Sequence, residues 1–234
     1  MSTVSVYEHF EENKLPQFLN ENNVHYLLHV LRKKTNDPLT IVNGKGISLD
    51  AQIIQISKKE CEIKVIQLNH EIPKNPQLQI AVAFTKNSTR MEWFLEKATE
   101  IGISAIIPLV THRSEKLNFK KERFEKILIA AMLQSQQSYL PILHEATPIE
   151  KVAQQNGAQK YIAYCGEEYE KKSFMSLFDS QQDCIFLIGP EGDFTKEEVS
   201  LCLENNFKII HLGNTRLRTE TAALYVCTLF NALS

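Results

Sequence analysis

The chain has 234 residues, of which 43% are hydrophobic and 23% charged, a composition typical of a soluble globular protein with one or two domains. Its net charge of −2 argues against a protein held on nucleic acid by bulk charge, although residues 73–130 are net basic. No apolar run reaches the ~20 residues that span a bilayer, and the first residues lack the pattern of a secretory leader. We therefore expect a cytoplasmic protein without a membrane segment.

The five cysteines are widely scattered, and no two of them form a C-x-x-C pair. Their apolar neighbours predict reduced thiols in the core rather than disulfides. We expect no metal site.

The first 72 residues are mostly β in pattern. A helical pattern over 25–34 ends in Arg32, Lys33 and Lys34, and a basic last turn suits the helix dipole. Asn43-Gly44 then lies between two β-rich runs, which is a strong hairpin signal, and a further strand is predicted over 61–68. Two prolines within 70–77 mark a linker. These features predict a small β-barrel-like domain over residues 1–72.

Residues 73–234 alternate between apolar β-rich runs and helical patterns. This alternation predicts an α/β domain with a parallel sheet and helices on both faces. Pro108 is expected to break the second strand. The five predicted strands are 78–84, 105–110, 160–165, 184–189 and 208–213.

Helix boundaries in this domain have recognisable signals. Thr89 and Glu92 fit a capping box at the start of one helix, and Gly102 fits its left-handed end. Thr195 and Glu198 fit a second capping box. The last segment, 219–233, is apolar nearly all round, which predicts burial within the domain or in an interface.

Three segments at predicted strand ends carry unusual residues, and in α/β sheets ligands bind beyond the carboxyl ends of the strands. They are "IIPLVTHRSEK" (106–116), "IGPEGDF" (188–194) and "LGNTRLRTETAA" (212–223). Each alone has a plain explanation; Arg216 or Arg218, for instance, pairs with Glu220. Together they predict one pocket. The chain lacks both the G-x-G-x-x-G and the P-loop phosphate motifs, so the pocket is expected to suit an uncharged base and a cationic group.

Two of these segments carry a family resemblance. "LIGPEGDFTKEEV" and "LGNTRLRTETAAL" resemble the SPOUT-class RNA methyltransferases, and more narrowly the family that methylates N3 of a uridine in 16S ribosomal RNA. The resemblance covers nearly the whole chain. It departs from the family pattern at Asp193, where relatives often carry a second glycine, and at Gln136 and Gln137, which replace an expected Gly-Arg pair.

The resemblance implies a fold and partners that patterning does not. The fold is an α/β parallel sheet closed by a trefoil knot, with a PUA-like RNA-binding β-barrel domain over 1–72 and the methyltransferase domain over 73–234. The implied cofactor is S-adenosyl-L-methionine (SAM). The implied partners are 16S ribosomal RNA or the small ribosomal subunit, and a second copy of the chain in a homodimer.

The resemblance also assigns roles to residues. Arg218 is expected to stabilise a uridinate-like transition state, and Glu191 or Glu220 to orient it or take the proton. RNA contacts are expected from Arg32, Lys33 and Lys34 and from a cleft around Lys86, Arg90, His112, Arg113 and Lys116. The expected cofactor-binding residues are Leu187, Ile188, Gly189, Pro190, Glu191, Gly192, Leu212, Gly213, Leu217, Arg218, Thr221 and Ala222.

Three other functions remain open at this point. One is another SPOUT reaction, such as ribose 2′-O-methylation. The second is a non-catalytic ribosome-assembly or RNA-binding protein with a degenerate pocket. The third, an unrelated nucleotide-binding α/β protein, is disfavoured by the missing phosphate motifs.

Overall fold

A computed structural model describes residues 4–114 and 119–234, and the chain divides into two compact units. Unit 1 comprises Met1–Pro73 and Met132–Leu140, and unit 2 comprises Lys74–Ala131 and Pro141–Ser234. Lys116, one of the predicted RNA contacts, lies outside the described residues.

Unit 1 is built on a four-stranded sheet in the order β1-β2-β3-β4. Strand β1 pairs parallel with β2, and the other neighbours pair antiparallel. A helix supplies Val24 and Leu27 to a core shared with the inward residues of the strands. The elements are β1 (Ser5–Tyr7), α1 (Glu21–His25) continued by a π-helical turn (Tyr26–Val30), β2 (Pro38–Val42), β3 (Ile47–Ile56) and β4 (Cys61–His70).

The hairpin predicted at Asn43-Gly44 is confirmed. Strands β2 and β3 pair antiparallel on either side of it, with Val42 opposite Ser48. The Asn43 side chain accepts hydrogen bonds from the backbone N–H groups of Lys45 and Ile47, at 2.8 and 3.1 Å. Gly44 adopts a positive φ of 73°, the conformation that makes glycine the favoured residue here.

The helix predicted over 25–34 lies earlier in the chain. It begins at Glu21 because the Asn20 side chain caps it by accepting from the Asn23 N–H at 2.9 Å. It ends at Val30, and Arg32 adopts a positive φ of 52° that no helix tolerates. The prediction that the three basic residues form the last helical turn is therefore wrong, since Lys33 and Lys34 follow in a turn whose Lys34 N–H is bonded to Asp37.

Residues 132–140 pack with unit 1 through backbone and side-chain hydrogen bonds. The Gly46 N–H donates to the Ser138 carbonyl at 3.0 Å, and the Leu140 N–H donates to the Gly44 carbonyl at 2.9 Å. The Tyr139 hydroxyl donates to the Glu71 carbonyl at 2.8 Å. A stretch from the middle of the chain is thus fixed against the β2–β3 hairpin and the end of β4.

Gln136, in that stretch, occupies a backbone conformation that favours glycine. Its φ is 57°, and its side chain is exposed. The family pattern has glycine at this position, and the positive φ gives the physical reason. We therefore expect Gln136→Gly to raise the free energy of unfolding by about 0.5–1 kcal/mol, because relief of left-handed strain exceeds the added chain entropy of glycine.

Thermal or denaturant unfolding of the purified variant measures this change. The matched control is Gln134→Gly, an exposed glutamine at the last position of α3 whose φ is not positive, where the same substitution should not raise stability. A Gln136→Gly protein that is no more stable than the parent would mean that the turn carries no strain.

Unit 2 contains an eight-stranded sheet with the order β10-β12-β9-β11-β5-β6-β7 and with β8 also paired to β6. Every one of these pairings is parallel. The elements are β5 (Leu78–Val82), α2 (Ser88–Ile101), β6 (Ala105–Val110), α3 (Lys121–Gln134, of which the residues from Met132 belong to unit 1), β7 (Ile142–Leu143), β8 (Thr147–Pro148), α4 (Ile149–Ala153), β9 (Gln159–Ala163), β10 (Lys172–Ser173), a 3-10 turn (Phe174–Ser176), β11 (Cys184–Ile188), α5 (Lys196–Glu204), β12 (Lys208–His211) and α6 (Thr219–Leu233).

Helices cover both faces of this sheet, as predicted. On one face Ile185 and Leu187 of β11 share a core cluster with residues of α4 and α5. Residues of opposite parity, such as Phe186, point to the other face, where α6 packs against β5, β11 and α2. One side of α6 is therefore buried within the unit, while Tyr225 on its other side remains exposed.

Two local predictions in unit 2 are wrong. Pro108 does not break β6. On the edge of β6 that pairs with β7 and β8, Pro108 lies between the two paired stretches, so its missing N–H removes no hydrogen bond from that edge. Helix α2 is capped by Asn87, whose side chain accepts from the Arg90 N–H, and not by Thr89. Asparagine is a stronger cap than threonine. The Gly102 end and the Thr195–Glu198 capping box are confirmed.

All five cysteines are free, and four of them (Cys61, Cys184, Cys202 and Cys227) are buried as predicted, whereas Cys165 is exposed. Within residues 4–114 and 119–234, no helix combines the length and apolarity needed to cross a membrane. The same residues contain no cluster of three or more His, Cys, Asp or Glu side chains that could hold a metal ion.

Candidate functional site

A large open cavity lies at the carboxyl ends of three strands of unit 2. Its volume is about 880 Å³, within the range of small-molecule sites. The loops after β9, β11 and β12 and the first turn of α6 form its walls. The lining residues are Ala163, Tyr164, Cys165, Gly166, Lys171, Ile188, Gly189, Pro190, Glu191, Asp193, Ile210, His211, Leu212, Gly213, Asn214, Thr215, Arg216, Leu217, Arg218, Thr219 and Ala222.

Loop 189–194, which follows β11, is held by side chains from the chain around it. The Thr219 hydroxyl donates to the Gly189 carbonyl at 3.0 Å, and the Arg216 guanidinium donates to the Glu191 carbonyl at 2.9 Å. Beneath the loop the Phe194 ring is buried against Gly189, where a Cβ atom would lie only 3.0 Å from the ring. The loop is therefore tied to segment 212–219 and packed from below.

Asp193 connects the same loop to the end of β9. Its carboxylate accepts the Cys165 N–H at 2.9 Å, and its backbone has a positive φ of 62°. Lys171 in turn donates to the carbonyls of Cys165 and Gly166, at 3.2 and 3.0 Å. The family pattern favours a second glycine where Asp193 stands, and this chain uses an acid that tolerates the same left-handed conformation.

The predicted cofactor residues divide into two groups in the structure. Nine of them line the cavity: Ile188, Gly189, Pro190, Glu191, Leu212, Gly213, Leu217, Arg218 and Ala222. The other three are not among its lining residues. Leu187 is buried on the α4–α5 face of the sheet, Gly192 contacts Arg113, and Thr221 is exposed on α6.

Of the three predicted catalytic residues, two line the cavity. Arg218 is exposed there, and among the described residues its guanidinium has no carboxylate or carbonyl partner. The Glu191 side chain is 64% exposed, whereas that of Glu220 is only 8% exposed and does not line the cavity. The proposed pairing of Glu220 with Arg216 or Arg218 does not occur. Glu220 faces Arg90 instead, with 3.7 Å between carboxylate oxygen and Nε, and Arg90 also lies 3.8 Å from the Glu191 carboxylate.

The predicted RNA-binding residues lie in both units, and some of them are exposed while others are bonded to groups of the protein. In unit 1, Arg32 and Lys34 are exposed, and the Lys33 ammonium lies 3.4 Å from the Pro38 carbonyl. In unit 2, Lys86 and His112 are exposed, whereas Arg90 faces two carboxylates. Arg113 donates to the Gly192 carbonyl at 2.6 Å.

Sequence reasoning missed the contribution of β9 to the cavity. Ala163, Tyr164, Cys165, Gly166 and Lys171 all line it. A signal was present, since "YIAYCG" is an apolar run that ends in glycine, as do "CIFLIG" and "KIIHLG", which precede the other two cavity loops. It carried no charged motif, and the order of strands in the sheet was needed to place it beside β11.

The fold and the cavity can be compared with known proteins. The protein-family model of the RNA methyltransferase domain matches residues 73–231 of this chain. The family model of the RNA methyltransferase PUA domain matches residues 19–66. The first match covers most of the chain, and it coincides with the parallel α/β unit that has a cavity at its strand ends. The protein is therefore an RNA methyltransferase.

Individual relatives narrow this class. Ribosomal RNA small subunit methyltransferase E of Rickettsia conorii is 33% identical over 217 residues, covering 91% of this chain and 88% of its own. The chain belongs to the ribosomal RNA small subunit methyltransferase E family. A Porphyromonas gingivalis structure described as a probable rRNA-methyltransferase has a TM-score of 0.88 at 36% identity, covering 93% of each chain. A Legionella pneumophila protein assigned as a methyltransferase, solved with the cofactor SAM bound, has a TM-score of 0.87 at 26% identity, covering 99% of this chain and 98% of its own.

Proposed function

We propose that this protein transfers the methyl group of SAM to N3 of a specific uridine in the 16S ribosomal RNA of the small subunit. The observation that carries the proposal is the cavity formed by the loops after β9, β11 and β12, with an unpartnered Arg218 on its wall among the described residues. Family membership supports the reaction class and the RNA substrate.

The cavity fits SAM in size and in chemistry. Ile188, Leu212, Leu217 and Ala222 offer apolar contact to a base, and the main chain of two loops offers hydrogen-bonding groups. The carboxylates of Glu191 and Asp193 lie on the same walls and suit a cationic ligand. Pro190, with its fixed φ, maintains the shape of loop 189–194. When bound there, SAM supplies a methyl group activated by its sulfonium.

The exposed side chains of the cavity have the roles that N3 methylation needs. Uridine N3 is a base-pairing atom that carries a proton, so the base must be unpaired and lose that proton. The Arg218 guanidinium stabilises the negative charge that develops on the uracil ring, and the Glu191 carboxylate accepts the proton at one of its oxygens. Glu191 suits this step better than Glu220, which is buried against Arg90. Arg90 positions both carboxylates.

RNA contacts come from both units. Residues 1–72 act as the PUA-like RNA-binding domain, in which the four-stranded sheet forms part of a β-barrel. Residues 73–234 act as the methyltransferase domain. Arg32 and Lys34 of the first and Lys86 and His112 of the second are exposed and are the side chains we assign to phosphate contact.

The same proposal extends to the topology and assembly of the chain. Segment 212–218 lies beside loop 189–194, and α6 then packs on β5 and β11, an arrangement that supports a trefoil knot in this part of unit 2. The exposed side of α6, with Tyr225 and Leu233, supports a homodimer. The enzyme acts in the cytoplasm.

The direct test incubates the protein with labelled SAM and either naked 16S ribosomal RNA or whole small subunits, and maps the product by mass spectrometry. Methylation at N3 of one uridine is the expected result. A methyl group on a ribose 2′-oxygen would replace the proposed reaction by another one. If the protein does not bind SAM, the alternative of an RNA-binding protein without methyltransferase activity replaces the proposed function.

Cys165 provides a simpler test of the cofactor site. It is the one exposed cysteine, and it lines the cavity, whereas burial raises the pKa of the Cys61 thiol to about 11 and those of Cys184 and Cys202 to about 12. Burial and the nearby Asp193 carboxylate also raise the pKa of the Cys165 thiol, so its exposure is the reason that a thiol reagent should label it faster than the four buried cysteines in the folded protein. We expect saturating SAM to slow this labelling at least about fivefold, because the bound ligand covers the thiol. Labelling that is rapid in Cys165→Ser, or unaffected by SAM in the parent, would contradict the assignment.

A further inference from the structure

The loop after β6 bonds to loop 189–194, although β6 and β11 are not neighbours in the sheet. Strand β5 lies between them, so the two strands are about 10 Å apart. Nevertheless the Arg113 guanidinium donates from one nitrogen to the Gly192 carbonyl at 2.6 Å and lies 3.4 Å from the Phe194 carbonyl. Residues 111–114 therefore reach over the end of β5.

A buried carboxylate connects the loop after β6 to the start of α5, which directly follows loop 189–194. Glu198 is 7% exposed, and its two oxygens accept the His112 N–H at 2.7 Å and the Thr195 N–H at 2.8 Å. Its own N–H is bonded to the Thr195 hydroxyl in the capping box of α5. The hydrogen bond from His112 to Glu198 therefore fixes the backbone next to Arg113, and this holds the arginine beside loop 189–194.

Arg113 also packs against Gly192, which does not line the cavity. A Cβ atom there would lie 3.4 Å from the Arg113 side chain, so the aliphatic part of the arginine covers this glycine while its guanidinium binds the carbonyl. The next residue, Asp193, has a left-handed backbone that costs about 1 kcal/mol and needs support from its surroundings. The Arg113 bonds to the carbonyls on both sides of Asp193 supply that support.

We infer that Arg113 is a positioning residue that holds loop 189–194 in its SAM-binding shape, and not a contact to RNA. The inference rests on the proposed function and assigns a new role within it. Among the described residues, four carbonyls of loop 189–194 are bound by side chains from outside it, those of Gly189, Glu191, Gly192 and Phe194. Donors to the first two belong to segment 212–219, and within residues 4–114 and 119–234 Arg113 is the side-chain donor to the other two.

The test replaces Arg113 and measures SAM and RNA binding separately by calorimetry, at a temperature where circular dichroism shows the variant fully folded. We expect Arg113→Ala to raise the Kd for SAM about tenfold, equal to about 1.4 kcal/mol. The KM for SAM should rise in parallel, while the KM for RNA and the salt dependence of RNA binding stay unchanged. Arg113→Lys, which keeps one donor, should restore part of the affinity.

Lys196→Ala is the matched control, because it removes one exposed positive charge close to the same loop, from a side chain paired with Glu168. It should leave the Kd for SAM within about twofold of the parent. A folded Arg113→Ala protein with parental SAM affinity, or with a loss confined to RNA binding, would overturn the inference. Failure of the parent itself to bind SAM would instead overturn the proposed function.

Discussion

Arg218→Ala will lower kcat at least about a hundredfold while leaving the Kd for SAM within about threefold of the parent. The reason is that Arg218 is exposed on the cavity wall with no protein partner among the described residues, so its charge is available to the substrate. A donor aimed at the charge that develops in a transition state contributes to kcat rather than to ground-state binding. Single-turnover kinetics with 16S ribosomal RNA, together with calorimetry for SAM, measure both quantities.

Arg216→Ala is the natural comparison. It deletes the same group two residues away, but the Arg216 guanidinium is bonded to the Glu191 carbonyl, so we expect a weaker affinity for SAM and a smaller change in kcat. Arg218→Lys keeps the charge without the planar donors and should recover only part of the rate. If Arg218→Ala turns over at the parental rate, Arg218 has no part in the chemistry.

The fold of unit 2 was largely predictable because its strands are buried on both faces. Continuous apolar runs such as 184–189 indicate parallel strands, and the helical stretches between them supply the crossovers. The order of the strands could not be predicted. Nothing in the local sequence indicates that β11 lies between β5 and β9, since this depends on how distant runs pack.

The candidate site was predictable where the backbone itself carries a signal. Loop 189–194 and segment 212–218 contain glycine or proline at strand ends, and both line the cavity. The partners of charged side chains were not predictable. Arg113 bonds to loop 189–194 and Arg90 faces Glu220, although both arginines fit an RNA-binding role by composition, because a side chain's partner depends on which loops the sheet brings together.

Gly189 allows two explanations for its lack of a side chain to be separated. The interpretation from sequence is that glycine lets the cofactor approach the main chain. The structure supplies another, since a Cβ atom at Gly189 would lie 3.0 and 3.1 Å from two atoms of the buried Phe194 ring. Gly189→Ala should therefore lower the free energy of unfolding by about 1–3 kcal/mol through overpacking, which corresponds to a fall in Tm of roughly 2–10 °C.

A second substitution decides between the two explanations. Phe194→Leu removes the ring that the new methyl group meets, so the double variant should be more stable than the sum of the single effects predicts, by at least about 1 kcal/mol. Gly192→Ala is the matched control, because its Cβ would meet Arg113 at an ordinary 3.4 Å, and it should change stability little. If Gly189→Ala instead keeps parental stability but loses SAM binding, with no recovery from Phe194→Leu, glycine is needed at this position for the ligand and not for the core.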